Sequence, residues 1–455
     1  MKSVLALVLL LLPLAASRTS AQSTPPNIIF ILIDDQRWDA LSCAGHPFLK
    51  TPNIDRIAKE GAYFENAFVT TPLCSPSRAS FLTGLYVHTH KIHGNGNSSA
   101  ISHEMITWPA LLQKSGYETA WIGKIHMGDD ATPRPGFDHW ISFKGQGVYE
   151  DPVFNIDGSV EKQKGYVTDL LNDRALAFLK KKHDKPFALC LAHKAVHGPF
   201  TPADRHKDLY SDDEIPRPPS VGENLDNKPM LKDRLPAATR PVQRQAPARG
   251  GSIPEQLVRN QLRCLASIDE GVGAILKELE DQKQLDNTII VYTSDNGFFW
   301  GEHRLGDKRA AYEESIRVPL VMRYPKMIKA GSRPTAMALN IDIAPTFLQL
   351  AGVTIPQNMQ GKSLVSLFDG DASHFRDAAL FEYFMEPKFA HILDWQAIRA
   401  DRWKYIHYQN EPKYDELYDL QADKYEMKNL IADAAAKDTL AKLKAELERQ
   451  LDATK

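Results

Sequence analysis

The chain has 455 residues, 43% of them hydrophobic and 25% charged, the balance of an ordinary globular protein and not of a collagen-like or disordered one. That length accommodates one large domain and a smaller one. With 55 Lys and Arg against 57 Asp and Glu, the net charge of −2 lacks the basic excess of a nucleic-acid binder, so an anionic substrate would need positive charge concentrated locally.

Residues 1–21 read as a secretory signal peptide. Lys2 gives a positive start, Val4 to Leu14 is apolar apart from Pro13, and small residues follow in Ala15-Ala16-Ser17 and Thr19-Ser20-Ala21. The apolar run falls short of the roughly 18–20 residues that span a bilayer. No Cys follows it to carry a bacterial-type lipid anchor, and cleavage is expected after Ser17 or Ala21. The expectation is an exported protein, periplasmic or secreted, with no stable membrane insertion.

Asn27 to Ile33 is a β-branched apolar run, expected of a strand buried on both faces. Thr51-Pro52 opens a helix, with Thr51 as N-cap and Ile54, Ile57 and Ala58 as its apolar face, closed by Gly61. Pro76 starts another, which places Cys74 at a helix N-terminus. A helix near Pro109 to Lys114 leads into a strand at Thr119 to Ile122. Thr168 caps a helix carrying Leu170, Leu171, Ala175, Phe178 and Leu179. Phe187 to Leu191 and Thr288 to Thr293 are further strands, and Gln256 to Leu279 is a long amphipathic helix. The alternation predicts an α/β fold with a large mixed, mostly parallel sheet sandwiched by helices.

Residues 215–254 hold eight of the 29 prolines and few large apolar residues. They read as a surface excursion, either a lid beside the site or a disordered insertion. From about Ala378 the pattern changes to short strands at Leu380–Phe384, Gln396–Ala400, Trp403–Tyr408 and Glu416–Leu420, then a charged helix from Ala434 to about Leu451. This is a smaller C-terminal antiparallel sheet plus helix. The expected division is 22–375 for the larger domain and 376–455 for the C-terminal subdomain. Four cysteines (Cys43, Cys74, Cys190, Cys264) are too few for a disulfide framework; a single bridge would draw on Cys43, Cys190 and Cys264.

Chemically capable residues follow four of the predicted strands: Asp34-Asp35, Lys124 with His126, His193 with His197, and Asp295-Asn296. Open α/β sheets gather their sites at the carboxyl ends of strands. Adjacent carboxylates repel unless a cation lies between them. Three carboxylates and an amide suit Ca²⁺, or Mg²⁺, better than Zn²⁺. Either pair alone would read as a cap or a turn.

Cys74-Ser75-Pro76-Ser77-Arg78 followed by Leu82-Thr83-Gly84 resembles the modification signature of type I, formylglycine-dependent sulfatases of the alkaline phosphatase superfamily. The resemblance extends over nearly the whole mature chain. It includes Gly123-Lys124-Ile125-His126, Tyr166-Val167-Thr168-Asp169, His197-Gly198-Pro199, Ser294-Asp295-Asn296-Gly297, Gly301-Glu302-His303, Lys308, Tyr312 to Pro319 and Asp415 to Leu420. It implies that a maturation enzyme oxidises Cys74 to Cα-formylglycine, whose hydrate is the nucleophile and whose second hydroxyl later expels sulfate. It implies metal ligation by Asp34, Asp35, Asp295 and Asn296, with the modified Cys74 completing the set. Arg78 would hold the formylglycine hydroxylate, Lys124 and Lys308 would neutralise sulfate, His126 would act as base, and His197, alone or with Lys308, would protonate the leaving sugar oxygen.

Two positions depart from the pattern. Ile125 stands where Trp is usual, and Val196, not Pro, precedes His197. Pro133 to Asp138, Gly145-Gln146-Gly147 and Tyr86 to His90 look most like N-acetylglucosamine-6-sulfatase-type members, which implies a sulfated carbohydrate substrate. Arg37, His93, Asn95, His193, Trp300, His303 and Arg309 are candidate sugar contacts, each with a structural alternative. A phosphoesterase or phosphonate hydrolase on the same fold, or a silent sulfated-glycan-binding protein, would share many of these residues.

Overall fold

The computed structural model describes residues 25–96, 98–235, 253–369 and 375–455. The signal peptide and residues 236–252 of the excursion lie outside the described residues. The strands run β1 (Asn27–Ile33), β2 (Ala62–Tyr63), β3 (Ala67–Phe68), β4 (Glu118–Gly123), β5 (His139–Ser142), β6 (Val153–Ile156), β7 (Ser159–Lys162), β8 (Phe187–Ala192), β9 (Thr288–Ser294), β10 (Leu320–Arg323) and β11 (Ala338–Leu339). Nine of them form one sheet in the order β2-β10-β9-β1-β8-β4-β5-β6-β7, and β3 pairs with β11. The central run β9-β1-β8-β4-β5 is parallel, and the strands added at either side are antiparallel.

The expected mixed sheet sandwiched by helices is therefore present, and its cause is visible in β1. All seven of its residues are buried. Ile29, Ile31 and Ile33 point into one core; Ile28, Phe30 and Leu32 point into the other, as the period-two alternation of a strand requires. Helices Pro52–Glu60, Val167–Leu179 and Glu255–Asp281 cover the first face, and helices Cys74–Thr83, Trp108–Lys114 and Ile343–Leu350 cover the second. A separate antiparallel sheet follows, built from β12 (Ala378–Tyr383), β13 (Trp395–Ala400), β14 (Trp403–Tyr408) and β15 (Glu416–Asp419). The terminal helix Lys437–Ala453 packs on it through Leu443 and Leu447.

Three local expectations are corrected. Thr51 occupies the N-cap position but its side chain caps nothing; its hydroxyl donates to Asp55. The helix is capped instead by Asp269 of the long helix, which accepts the Asn53 and Ile54 N–H groups at 3.0 and 2.9 Å. Thr168 lies inside its helix, where Tyr166 holds the N-cap position. The first part of the excursion is packed: Lys228, Met230 and Leu231 are fully buried, because they close over the C-terminal sheet. All four cysteines are free thiols.

Candidate active site

The four predicted clusters sit at the carboxyl ends of four adjacent parallel strands, β9, β1, β8 and β4. Backbone hydrogen bonds continue past the strands and hold the loops in register. Asp295 N donates to Ile33 O (2.9 Å), His193 N to Leu32 O (2.9 Å), Lys124 N to Ala192 O (2.8 Å) and Val196 N to Asp34 O (2.8 Å). Two glycines permit this closeness. A Cβ on Gly123 would lie 1.8 Å from Ala192 O, and one on Gly297 would lie 2.1 Å from Glu314 O. Asp35 and His126 carry φ of 63° and 52°, a strained backbone that the surrounding ladder enforces.

Cys74 opens helix Cys74–Thr83, fully buried. Its Sγ lies 3.4 Å from Asp34 Oδ1 and 3.3 Å from Lys308 Nζ. Lys308 also bonds Asp35, and Lys124 bonds Asp34 and the Gln146 side-chain oxygen. Arg78 donates from Nε to Asp295 Oδ2 (2.8 Å) and from Nη1 to Lys124 O (2.6 Å). Three buried carboxylates thus face three buried cations within one pocket. Buried charge on this scale is held only when each ion has partners, because desolvation costs several kcal/mol per ion.

The donor atoms of Asp34, Asp35, Cys74 and His197 all lie within 4.8 Å of one another. Asp295 turns Oδ1 to the Asp35 N–H (3.2 Å) and Oδ2 to Arg78. Asn296 donates from Nδ2 to Asp35 (2.6 Å), while its Oδ1 is buried with no hydrogen-bond partner. A buried orphan carbonyl beside three carboxylates fits a hard, oxygen-seeking cation. His197 joins this group although sequence reasoning gave it a different task.

The ionisation states follow from these neighbours. Burial opposes the charge of Asp34, but Lys124, His197, Arg78 and Lys308 hold it well below the usual carboxylate range. Burial and the adjacent Asp34 push Asp295 up to about 7, against Arg78 and Lys124. Burial raises the Cys74 thiol, aided by Asp34. Burial opposes the charge of Lys308 too, but Asp35 and Cys74 raise it well above the ordinary lysine range. Burial and Lys124 hold His126 well below the imidazole range. Burial does the same to His197, against Asp34 and together with Lys308, Lys124 and Lys194. His197 Nδ1 donates to Gly198 O (2.9 Å), so Nε2 faces Asp35 Oδ2 at 3.6 Å.

The candidate sugar contacts separate. His93 is exposed and stacks on Phe384 at 4.3 Å. Asn95 accepts the Ser75 N–H on Oδ1 (3.0 Å), and Arg309 pairs with Asp307 and Glu386. Arg37 is buried, paired with Asp39 and Glu302, and lies 4.2 Å over the Trp300 ring. Trp300 is buried and donates to Gln261. His303 is fully buried between Glu223 and Glu314, a brace for the loop carrying Lys308. His193 is buried, and burial lowers it to about 3. Ile125 is buried in the second core.

Sequence reasoning missed Gln146 on Lys124, Glu386 on Arg309, and Lys194. Lys194 is buried, donates to Gly198 O at 3.0 Å, lies over the Tyr149 ring at 4.8 Å, and is brought down to about 8 by burial and Lys124. Its place directly after His193, at the end of a predicted strand, was the available signal.

The Sulfatase family model matches residues 26–353, and the model for the C-terminal part of N-sulphoglucosamine sulphohydrolase matches residues 301–453. A Bacteroides thetaiotaomicron N-acetylglucosamine-6-O-sulfatase is 37% identical over 98% of this chain and 90% of its own length. A putative extracellular sulfatase Sulf-1 homolog of Caenorhabditis elegans is 33% identical over 85% of this chain and 56% of its own. A solved structure in complex with its substrate D-glucosamine-2-N,6-O-disulfate superposes with a TM-score of 0.85 at 34% identity, covering 94% of this chain and 98% of that one. Among the described residues no helix is long and apolar enough to cross a membrane. A buried cysteine at a helix start, ringed by carboxylates and cations at four strand ends, is thus found in a chain whose family match spans most of its length: this protein belongs to the sulfatase family and is a sulfuric ester hydrolase.

Proposed function

We propose that this enzyme removes the 6-O-sulfate of N-acetylglucosamine or a closely related amino sugar in a sulfated polysaccharide. The observation that carries the chemistry is the meeting of Cys74 Sγ and Lys308 Nζ at 3.3 Å inside a pocket of three carboxylates and three cations. The substrate class is supported by the 6-O-sulfatase relative and by the disulfated glucosamine bound in the similar structure.

Cys74 is the position for formylglycine, whose hydrate supplies a nucleophile with a built-in release of sulfate. Asp34, Asp35, Asp295 and Asn296, together with the modified Cys74, would hold Ca²⁺ (or Mg²⁺), which when bound polarises a sulfate oxygen and acidifies the nucleophile. Lys124 and Lys308 neutralise the sulfate oxygens as charge builds on them. Arg78, anchored by Asp295, orients the residue-74 side chain. His126 and His197 are neutral before substrate arrives, held so by burial and by the cations named above. His126 would be the base that takes the proton from the second hydroxyl of the modified residue 74 as sulfate is expelled. The arriving sulfate ester favours the protonated form of His197, whose Nε2 gives its proton to the leaving sugar oxygen, with Lys308 able to share that task.

An export signal at residues 1–21 would carry the enzyme to the periplasm or beyond, in keeping with the relative named as extracellular. A maturation enzyme would convert Cys74 before or during export. The test is sulfate release from 6-O-sulfated N-acetylglucosamine, with 4-O- and 2-O-sulfated sugars as competitors, alongside mass spectrometry of the tryptic peptide Glu60–Arg78. Conversion of thiol to aldehyde removes about 18 Da. Protein carrying that mass change and releasing no sulfate from the 6-O-sulfated sugar would sink the substrate reading. A wholly unmodified Cys74 in active protein would sink the nucleophile reading.

A further inference from the structure

Arg309 and Asn95 do not offer free polar groups to a sugar on the sides where they are bonded. Arg309, next to Lys308, donates from Nε to Glu386 Oε2 at 2.8 Å, pairs through Nη1 with Asp307, and lays its guanidinium 3.4 Å over the Phe389 ring. Its backbone is held as well: the Arg309 N–H donates to Ser315 Oγ (3.1 Å), and its carbonyl accepts Trp395 Nε1 (2.8 Å). This residue carries φ of 88°, a conformation unfavourable outside glycine that persists only under external constraint. Asn95 donates its backbone N–H to Glu386 Oε1 at 3.1 Å and accepts the Ser75 N–H on its side-chain oxygen at 3.0 Å. Ser75 directly follows Cys74, and its hydroxyl donates to the His126 carbonyl.

We propose that Glu386 is a positioning residue of the sulfatase reaction, one carboxylate oxygen holding the Lys308–Arg309 segment and the other holding Asn95, and through Asn95 the backbone behind the nucleophile position. Glu386 lies just past β12, so the C-terminal sheet reaches the reacting atoms through this side chain. The inference rests on the roles assigned above to Cys74 and Lys308. Its physical basis is the tolerance of the reaction to misplacement. A shift of about 1 Å between attacking and stabilising groups costs roughly 100-fold in rate. Two charge-assisted or backbone hydrogen bonds to one short side chain fix that separation more tightly than either loop could alone.

The test compares Glu386→Ala, Glu386→Gln, Asn95→Ala and the Glu386→Ala/Asn95→Ala double variant with the wild-type enzyme. For each, kcat and KM are measured on 6-O-sulfated N-acetylglucosamine, together with the melting temperature and amide hydrogen exchange. Glu386→Ala is expected to lower kcat roughly 10- to 100-fold with KM within about twofold. The double variant is expected to fall no further than the worse single variant, because both break one relay. Exchange is expected to quicken in residues 74–78 and 308–315. Unchanged exchange in both segments, losses that multiply in the double variant, or an effect on KM alone would overturn the proposal. If the alanine variant does not fold, the glutamine variant, which keeps its size and one acceptor, decides by the same readouts. Exchange needs no substrate, so a wild-type enzyme inactive on this sugar overturns only the substrate reading.

Discussion

Lys308 Nζ lies 3.3 Å from Cys74 Sγ, although 234 residues separate the two in the chain. The ammonium bridges the sulfur and Asp35, and both neighbours strengthen its hold on its proton. A fixed, desolvated positive charge beside the nucleophile position is what stabilising a developing sulfate anion needs. Lys308→Ala is therefore expected to lower kcat roughly 100- to 1,000-fold, the scale of losing one preorganised donor in a dry site. Steady-state kinetics on a sulfated sugar, with formylglycine content checked by mass spectrometry, measures this. A loss below tenfold in fully matured protein would remove Lys308 from the chemistry.

The orphan Asn296 Oδ1 and the carboxylates of Asp34, Asp35 and Asp295 lead to a second expectation. A cation that binds only the folded enzyme stabilises it by mass action, about 2.7 kcal/mol at a free concentration 100 times Kd. Ca²⁺ should raise the melting temperature by several degrees, and chelation should reverse the shift and abolish turnover. Asn296→Ala should weaken the Ca²⁺-induced shift. A melting temperature indifferent to Ca²⁺, Mg²⁺ and chelator alike would remove the proposed metal.

Asp269 caps helix Pro52–Glu60, yet burial and nearby Asp55 push it up to about 6 against its hydrogen bonds to Ile54 and Asn53. A carboxyl that binds its proton more tightly when folded adds stability below its unfolded pKa, near 4, and loses that contribution as pH rises through about 6. A shift of this size corresponds to about 3 kcal/mol. Asp269→Asn keeps an acceptor for the helix N–H groups without the charge. Its stability relative to the wild type should therefore improve between pH 4 and 7, measured by urea unfolding across that range. A constant difference over the range would show that Asp269 is not the titrating group.

Gly297 is required by close contact and not by backbone freedom, since its φ lies outside the left-handed region. A Cβ there would meet the Glu314 carbonyl at 2.1 Å and the Arg317 carbonyl at 3.0 Å, and neither is a flexible side chain. Gly297→Ala should destabilise the enzyme by more than about 2 kcal/mol, the range of backbone clashes in a packed core. It should also weaken Ca²⁺ binding, because Asn296 moves with it. Calorimetric titration of Ca²⁺ into the folded variant separates the two effects, and wild-type stability with wild-type affinity would show that the turn relaxes freely.

Much of the fold was legible because its signals are local. The run Asn27–Ile33 is apolar after Asn27 and rich in β-branched Ile, and β1 has those same limits. Alternation of such runs with amphipathic segments predicted the mostly parallel sheet, and the strand-end rule drew together Asp34, Lys124, His197 and Asp295 before any contact was known. The cap of helix Pro52–Glu60 was misread because Asp269 comes from 216 residues away, and no pattern near Thr51 announces it.

The strands, the order of the motifs and the residue types able to do sulfate chemistry can be read along the chain, since they depend on neighbours a few residues apart. Which of those residues are free to act depends on how the folded chain brings distant segments together. His303 is occupied by Glu223 and Glu314, Arg309 by Asp307 and Glu386, and Arg37 by Asp39 and Glu302. Each has one partner from a distant segment, Glu223 for His303, Glu386 for Arg309 and Glu302 for Arg37, beside a nearer one in the chain. A charged side chain buried in a protein must be neutralised by whatever the fold brings against it, and the second partner of each of these residues is set by packing across the molecule, which the neighbouring sequence does not announce.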